Sequence, residues 1–208
     1  MNDCNEVITG ERQAAPRYAL VASDAASPQV YQQYADFMRR TGSYSVPHWL
    51  QCLGNSEPMT RGIWQFVQGV LLEGQLPYIL KELVIFIVSV VNGSQYCAAA
   101  HAHAVLSTSR SLRFSDLISL AADLDSVELP QATKAAMRFA KKMAAGPNSM
   151  TDADFARLEA AGISKAETTE LIGVIALAIM FNSITSALQL PLDDEYRAVL
   201  TLPSSTET

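Results

Sequence analysis

A cysteine and a histidine four residues apart are the pair in this sequence best suited to chemistry. Cys97 and His101 follow a break at Gly93, and residues i and i+4 share one face of an α-helix. Ser94 is a favourable N-cap, which places Cys97 in the first turn of the new helix. Because exposed N–H groups and the helix dipole favour an anion there, the sequence predicts an easily ionised thiol within reach of an imidazole.

The composition describes an acidic and rather apolar chain. Its 208 residues can form one domain with a substantial core. Hydrophobic residues make up 49% and charged residues only 17%, which indicates buried helices or a large subunit interface. The net charge of -6 argues against a nucleic-acid partner. Three cysteines favour a reducing compartment, and the acidic N-terminal segment does not resemble a signal peptide, so we expect a cytoplasmic protein.

Apolar residues at helical spacing run along most of the chain, and no alternating strand pattern appears. The run 83–91 is rich in Val and Ile, but its length and the preceding Pro77 favour a helix over a buried strand. We predict an all-α fold with an irregular arm at 1–27, one helical domain at 28–202 and a flexible tail at 203–208. The predicted helices span residues 28–40, 46–53, 56–74, 77–91, 94–107, 114–124, 129–145 and 165–189. Capping boxes at Thr151 and Ser164 predict two successive helix starts, the second of which opens the last of these helices.

Two stretches, 83–109 and 171–192, contain no Asp, Glu, Lys or Arg and are long enough to span a bilayer. Polar residues interrupt both of them, including His101 in the first and Asn182 in the second. Helices that are apolar on all sides must be covered by something. We therefore predict a homo-oligomer that buries these helices, and no membrane partner.

The motif around Cys97 resembles that of a known family. The residues that carry the likeness are Lys81–Val84, Asn92–Gly93, Tyr96–Cys97 and His101. They are similar to the core of the AhpD-like alkylhydroperoxidases of the carboxymuconolactone decarboxylase superfamily, and a likeness to its "peroxidase-related" branch extends over residues 42–200. The family pattern is a Glu, eleven residues, a Cys, two residues, a Cys, three residues and a His. Here it falls on Glu82, Ser94, Cys97 and His101.

The resemblance implies an all-helical, AhpD-like bundle that assembles into dimers, trimers or hexamers, without a cofactor. In redox-active members a cysteine pair alternates between dithiol and disulfide. Ser94 stands in the place of the first cysteine and cannot form a disulfide, so the resemblance implies an antioxidant, peroxidase-like chemistry with one cysteine. Cys97 would attack a small hydroperoxide and become a sulfenic acid, while His101 and Glu82 relay protons.

Two other interpretations of these residues stay open. A lyase similar to carboxymuconolactone decarboxylase would use His101 and Glu82 without the thiol. Its dicarboxylic substrate calls for cationic partners, and only Lys81 and Arg110 flank the motif. The third interpretation is a helical oligomer that has kept the scaffold and lost the chemistry, with Cys97 as a small core residue.

The other histidines and cysteines have secondary roles in this interpretation. His103 falls off the Cys97 face at helical spacing, so we predict packing or an interface for it. No metal site is predicted, because Cys97, His101 and His103 on one short helix do not converge. Regeneration of Cys97 calls for an external thiol reductant, or for Cys52 or Cys4.

Overall fold

The structure is a computed structural model that describes Val7 and residues 15–200, with side chains through Ala198. Every regular element among the residues 15–200 is helical, which confirms the predicted all-α fold. A π-helical turn, Gln68–Leu72, follows the third helix, and a 3₁₀ turn, Pro147–Ser149, follows the seventh. The α-helices are α1 (Pro28–Thr41), α2 (His48–Leu53), α3 (Glu57–Val67), α4 (Tyr78–Val91), α5 (Gln95–Thr108), α6 (Phe114–Ala122), α7 (Gln131–Ala145), α8 (Asp152–Ala160), α9 (Lys165–Leu188) and α10 (Asp194–Leu200).

Helix α4 is the centre of the bundle. All of its residues from Leu80 to Val90 are buried, because α5, α7 and α9 pack around it. The Val- and Ile-rich run is therefore a buried helix, as predicted, and it is covered within a single chain. The chain turns at Gly93, whose φ of 68° lies in the left-handed region that favours glycine, and α5 then packs along α4.

Helix α5 begins after Ser94, as predicted, but the Ser94 side chain makes no capping hydrogen bond. Its hydroxyl oxygen lies 3.3 Å from Oγ1 of Thr185 on α9. The predicted position of the cap is right and its predicted interaction is wrong, because a partner from another helix takes the hydroxyl. Cys97 is the third residue of α5 and lies in its first turn, as the sequence indicates.

The segment after α3 departs from the single helix predicted to reach Gly74. The chain instead forms the π-helical turn, and the ammonium of Lys81 donates to the carbonyl oxygens of Val70 (2.9 Å) and Glu73. A continuing α-helix would need the Val70 carbonyl for its own hydrogen bonds. Gly74 is required here both by its φ of 101° and because a Cβ would collide with the carboxylate of Glu170. The Lys81 ammonium thus ends the helix by a contact that the local sequence does not encode.

The C-terminal part contains one confirmed and one unpredicted helix. The capping box at Ser164 starts α9, which ends at Gln189 in the left-handed conformation. Among the described residues α9 is the only helix long and apolar enough to cross a membrane, and 39% of its most apolar window is buried. Helix α10 was not predicted. Residues 15–27 contain only turns and bends; the tail predicted at 203–208 and most of the remaining arm lie outside the described residues.

Candidate active site

Three of the four candidate residues line one cavity of about 440 Å³. Glu82 reaches it from α4, and Cys97 and His101 reach it from α5. Ser94 is buried beside Cys97, behind the cavity wall. Glu82, Cys97 and His101 share this cavity because α4 and α5 are adjacent helices that pack along each other.

His101 and Glu82 form a directed pair. Nδ1 of His101 lies 2.5 Å from Oε2 of Glu82, whose side chain is 1% exposed, whereas the imidazole is 20% exposed. An ionised carboxylate only accepts hydrogen bonds, so Nδ1 donates to it, and in the neutral imidazole Nε2 then carries the lone pair. The Tyr78 hydroxyl donates to the same carboxylate. Loss of water around that hydroxyl, together with the charge of Glu82, raises the pKa of Tyr78 above its usual range.

Cys97 is a free, buried thiol that is 3% exposed. Burial raises the pKa of Cys97 above its usual value, while hydrogen bonds with Thr185 and Ser94 act in the opposite direction. The predicted easy ionisation is therefore wrong, because loss of water around the sulfur outweighs the hydrogen bonds with Thr185 and Ser94. Among the described residues the sulfur's hydrogen bonds go to Thr185 and Ser94, and it shares only the cavity wall with His101.

Thr185 is a component of the site that the motif does not reveal. Its Oγ1 lies 3.4 Å from the sulfur of Cys97 and 3.3 Å from Oγ of Ser94. The Thr185 hydroxyl donates to the carbonyl oxygen of Phe181, one helical turn earlier, at 2.8 Å. Its place on α9, 88 residues from Cys97 in the chain, explains why spacing within the motif could not indicate it.

The cavity walls are rich in aromatic and aliphatic side chains, and no Lys or Arg among the described residues lines them. Phe37 contacts Trp49 and Trp64 edge-on, with ring centroids 5.7 and 5.4 Å apart, and Trp49 contacts Phe181 in the same way at 5.1 Å. The charged residues that line the cavity are the acids Glu82 and Glu195. The walls therefore favour an uncharged, apolar molecule over an anion. The aromatic residues of the lining are Phe37, Tyr44, Trp49, Trp64, Tyr78, Tyr96, Phe181 and Tyr196.

Comparison with known proteins gives one family match and several structures of the same fold. Residues 57–142, which include the whole motif, match the model of the carboxymuconolactone decarboxylase family. A peroxidase-related protein from Ralstonia eutropha JMP134, an alkylhydroperoxidase AhpD core, superposes with a TM-score of 0.80 over 92% of this chain and 100% of its own, at 19% identity. The matched segment is thus similar to the carboxymuconolactone decarboxylase family, and the chain has the AhpD-like fold.

Two further solved structures have the same AhpD-like fold. A peroxidase-related protein from Silicibacter sp. TM1040 gives a TM-score of 0.76 at 20% identity and covers 92% of this chain and 99% of its own. The debrominase Bmp8, in a cysteine-to-alanine variant complexed with 2,3,4-tribromopyrrole, gives 0.72 at 20% identity and covers 89% and 98%. No curated protein matches the sequence.

The remaining candidate residues occupy different places in this AhpD-like chain. His103 packs against the ring of Tyr196, at a centroid distance of 5.7 Å. It also lines the same cavity as Cys97, although helical spacing predicts that it lies off the Cys97 face. Cys52 does not line the cavity; its thiol donates to the carbonyl of Trp49 at 3.0 Å, and burial raises its pKa to about 11. Cys4 lies outside the described residues.

Proposed function

We propose that the protein is a thiol-dependent, peroxidase-like oxidoreductase with Cys97 as the nucleophile. The observation that carries the proposal is the shared cavity wall, on which a free thiol lies with an imidazole whose Nδ1 is bound to Glu82. Among the described residues, His101 has its hydrogen bond at Nδ1, and its ring lines the same cavity as the sulfur. This arrangement therefore supports an assisted thiol more than an inert core cysteine.

The reaction would proceed in two halves. The Cys97 thiol gives its proton to Nε2 of His101, and the sulfur attacks the terminal oxygen of a hydroperoxide, so that an S–O bond forms as the O–O bond breaks. His101 returns the proton to the leaving alkoxide, which departs as an alcohol. Sulfur has then lost two electrons and is a sulfenic acid. One external thiol displaces water to give a mixed disulfide, and a second thiol releases Cys97.

The walls of the cavity select the substrate class. Aromatic rings and the absence of Lys and Arg from the described lining favour a small organic hydroperoxide without a carboxylate. They also disfavour a lyase acting on a dicarboxylic lactone, since such a substrate needs cations. Lys81 is paired with Glu170 away from the cavity, and Arg110 is exposed and does not line it.

Removal of halogen from an aromatic ring is a second candidate function. The fold of the debrominase Bmp8, solved with tribromopyrrole, matches this chain, and the edge-on aromatic walls formed by Phe37, Trp49 and Phe181 suit a planar ring. Cys97 would again be the reacting group. Release of bromide from 2,3,4-tribromopyrrole in the presence of an external thiol distinguishes this activity from peroxide reduction.

The decisive experiment follows the oxidation state of Cys97. The purified protein is treated with cumene hydroperoxide and a sulfenic-acid trap, and adducts are located by mass spectrometry. We expect an adduct on Cys97 that forms on the order of 10²-fold more slowly in His101→Ala and is absent in Cys97→Ser. Cys52→Ser, which alters the buried cysteine outside the cavity, should leave it unchanged. Absence of any Cys97 adduct in the wild-type protein would contradict the proposal.

We also propose that the protein works as a homo-oligomer in the cytoplasm, where thiol reductants are available. Helix α9 supports the first part, because only 39% of its most apolar window is buried within one chain. A lone subunit in analytical ultracentrifugation at micromolar concentration would contradict it.

A further inference from the structure

Three buried groups that can each donate a proton form a closed cluster at the sulfur. Oγ1 of Thr185 lies 3.4 Å from Sγ of Cys97 and 3.3 Å from Oγ of Ser94, and Ser94 is also hydrogen-bonded to the thiol. All three residues are almost completely buried. Water therefore has little access to the side of the sulfur that faces away from the cavity, and the two hydroxyls determine its surroundings there.

Counting the protons of this cluster shows that its arrangement suits a neutral thiol. The Thr185 hydroxyl has one proton, which it donates to the carbonyl of Phe181 at 2.8 Å. Towards Cys97 it can then only accept, so the S–H group donates to Thr185. A thiolate has no proton to give and needs donors. The cluster must rearrange when Cys97 ionises, or the thiolate loses one of its two polar contacts.

We propose that Thr185 is a positioning residue whose hydroxyl proton turns from the Phe181 carbonyl to the Cys97 sulfur when the thiol gives up its proton. The inference rests on the proposed thiol chemistry. Rotation about the Cβ–Oγ1 bond is sufficient, since a hydroxyl hydrogen orients to suit its partners. Ser94 supplies the second donor. In this arrangement Ser94, in the place of the first family cysteine, stabilises the thiolate instead of forming a disulfide with it.

Other titratable groups line the same cavity as the sulfur, and they are common to all variants of the test. His101, His103 and Tyr96 lie on α5 and Glu82 on α4, while Glu195 and Tyr196 lie on α10; all of them line the cavity with Cys97. The charge of Cys97 contributes to raising the pKa of Tyr196, after burial and the nearby carboxylates. A change confined to Thr185 leaves these charges in place.

The test measures the pH dependence of Cys97 alkylation by iodoacetamide, with the modified peptide quantified by mass spectrometry. In Thr185→Val the thiolate loses a donor, and we expect the apparent pKa of Cys97 to rise by about one unit, with an alkylation rate about tenfold lower at a fixed pH below it. Thr185→Ser keeps the hydroxyl and should stay near the wild-type value. Ser183→Ala is the matched control, because Ser183 makes the same one-turn hydrogen bond, to Ile179 at 2.9 Å, on the exposed face of α9.

The direction of the shift decides the inference. If Thr185 only accepts from the thiol, its loss removes a contact of the neutral form, and the pKa of Cys97 stays constant or falls in Thr185→Val; either result overturns the proposal. Ser94→Ala provides a second, independent measurement, with the same expected rise, if Thr185→Val does not fold by circular dichroism. Alkylation needs no peroxide, so a rise in the pKa without any reaction of the wild-type protein with cumene hydroperoxide would overturn the proposed function and not the role of Thr185.

Discussion

Helix α4 carries two neighbouring ionisable residues that are equally buried and serve different purposes. Lys81 and Glu82 are each 1% exposed, and each has an ionisable partner 2.5 Å away. Lys81 faces the π-helical turn and binds Glu170, whereas Glu82 faces the cavity and binds His101. Since the two residues are adjacent in the chain and similar in burial, neither sequence position nor depth separates their roles.

The difference lies in how many hydrogen-bonding groups remain unoccupied. The three protons of the Lys81 ammonium have three acceptors, namely Glu170 and the carbonyls of Val70 and Glu73. Burial alone would raise the pKa of Glu170, but Lys81 and two backbone amides hold it below its usual value. This pair is complete and holds the chain around the π-helical turn.

The pair of Glu82 and His101 is incomplete. Glu82 accepts from Nδ1 of the imidazole, and Nε2 on the opposite side of the ring remains available in the cavity. A buried ion pair whose hydrogen-bonding groups are all used stabilises a conformation. A pair that leaves an imidazole nitrogen available next to a cavity can transfer a proton. The comparison predicts that the two pairs respond to substitution in opposite ways.

The largest expected effect is on stability at Lys81. Lys81→Met leaves the carboxylate of Glu170 without its cation, and we expect the free energy of unfolding, measured with urea at pH 7, to fall by about 3–5 kcal/mol. Because the pKa of Glu170 is lowered in the folded state, its contribution is present above the unfolded pKa and is lost as the pH falls through the folded value. The difference between wild type and variant should therefore shrink in acid.

A double substitution is the control for this prediction. Lys81→Met combined with Glu170→Leu removes both charges and should recover much of the lost stability, because an apolar pair needs no ionic partner. A loss below about 1 kcal/mol in Lys81→Met would mean that the pair does not hold the turn.

Next in size is the effect on reaction rate at Glu82. Glu82→Gln keeps the size of the side chain but removes the charge that stabilises a protonated His101. We expect the rate of Cys97 oxidation by cumene hydroperoxide to fall on the order of 10²-fold, with a smaller change in unfolding free energy than Lys81→Met causes. Stopped-flow mixing with peptide mass spectrometry measures the first quantity and urea titration the second. A variant that oxidises at the wild-type rate but is strongly destabilised would place Glu82 with Lys81, as a structural residue.

The sequence was sufficient to predict those features that depend on spacing along one or two helices. The all-α fold, the start of α5 and a common helix face for Cys97 and His101 follow from helical periodicity. The place of Glu82 beside them is an expectation from the family resemblance. The ionisation of Cys97 follows from neither, because it depends on burial by α9 and on a hydroxyl at Thr185. The helix dipole is a local effect, and the removal of water is a property of the whole bundle.

The π-helical turn and helix α10 illustrate the same limit. The turn forms because the ammonium of Lys81 takes carbonyl oxygens that a regular helix would use, and no pattern in the turn itself indicates this. Helix α10 is short, and its Tyr196 packs edge-on against Tyr96 at 5.8 Å. Its place beside the cavity depends on that contact, so a search for apolar periodicity could not find it.

The smallest expected effect separates the two buried cysteines of the described chain. Cys97 lines the cavity, while Cys52 donates to the carbonyl of Trp49 outside it, and burial raises the pKa of Cys52 to about 11. At pH 8 we expect iodoacetamide to modify Cys97 about tenfold faster than Cys52 in the folded protein, since reactivity follows access and thiolate fraction. In urea the two rates should converge, because both thiols are then solvated. Comparable rates in the folded state would mean that small molecules do not reach the sulfur through the cavity. Cys97 would then be a structural residue, as Lys81 is, and not a reactive one.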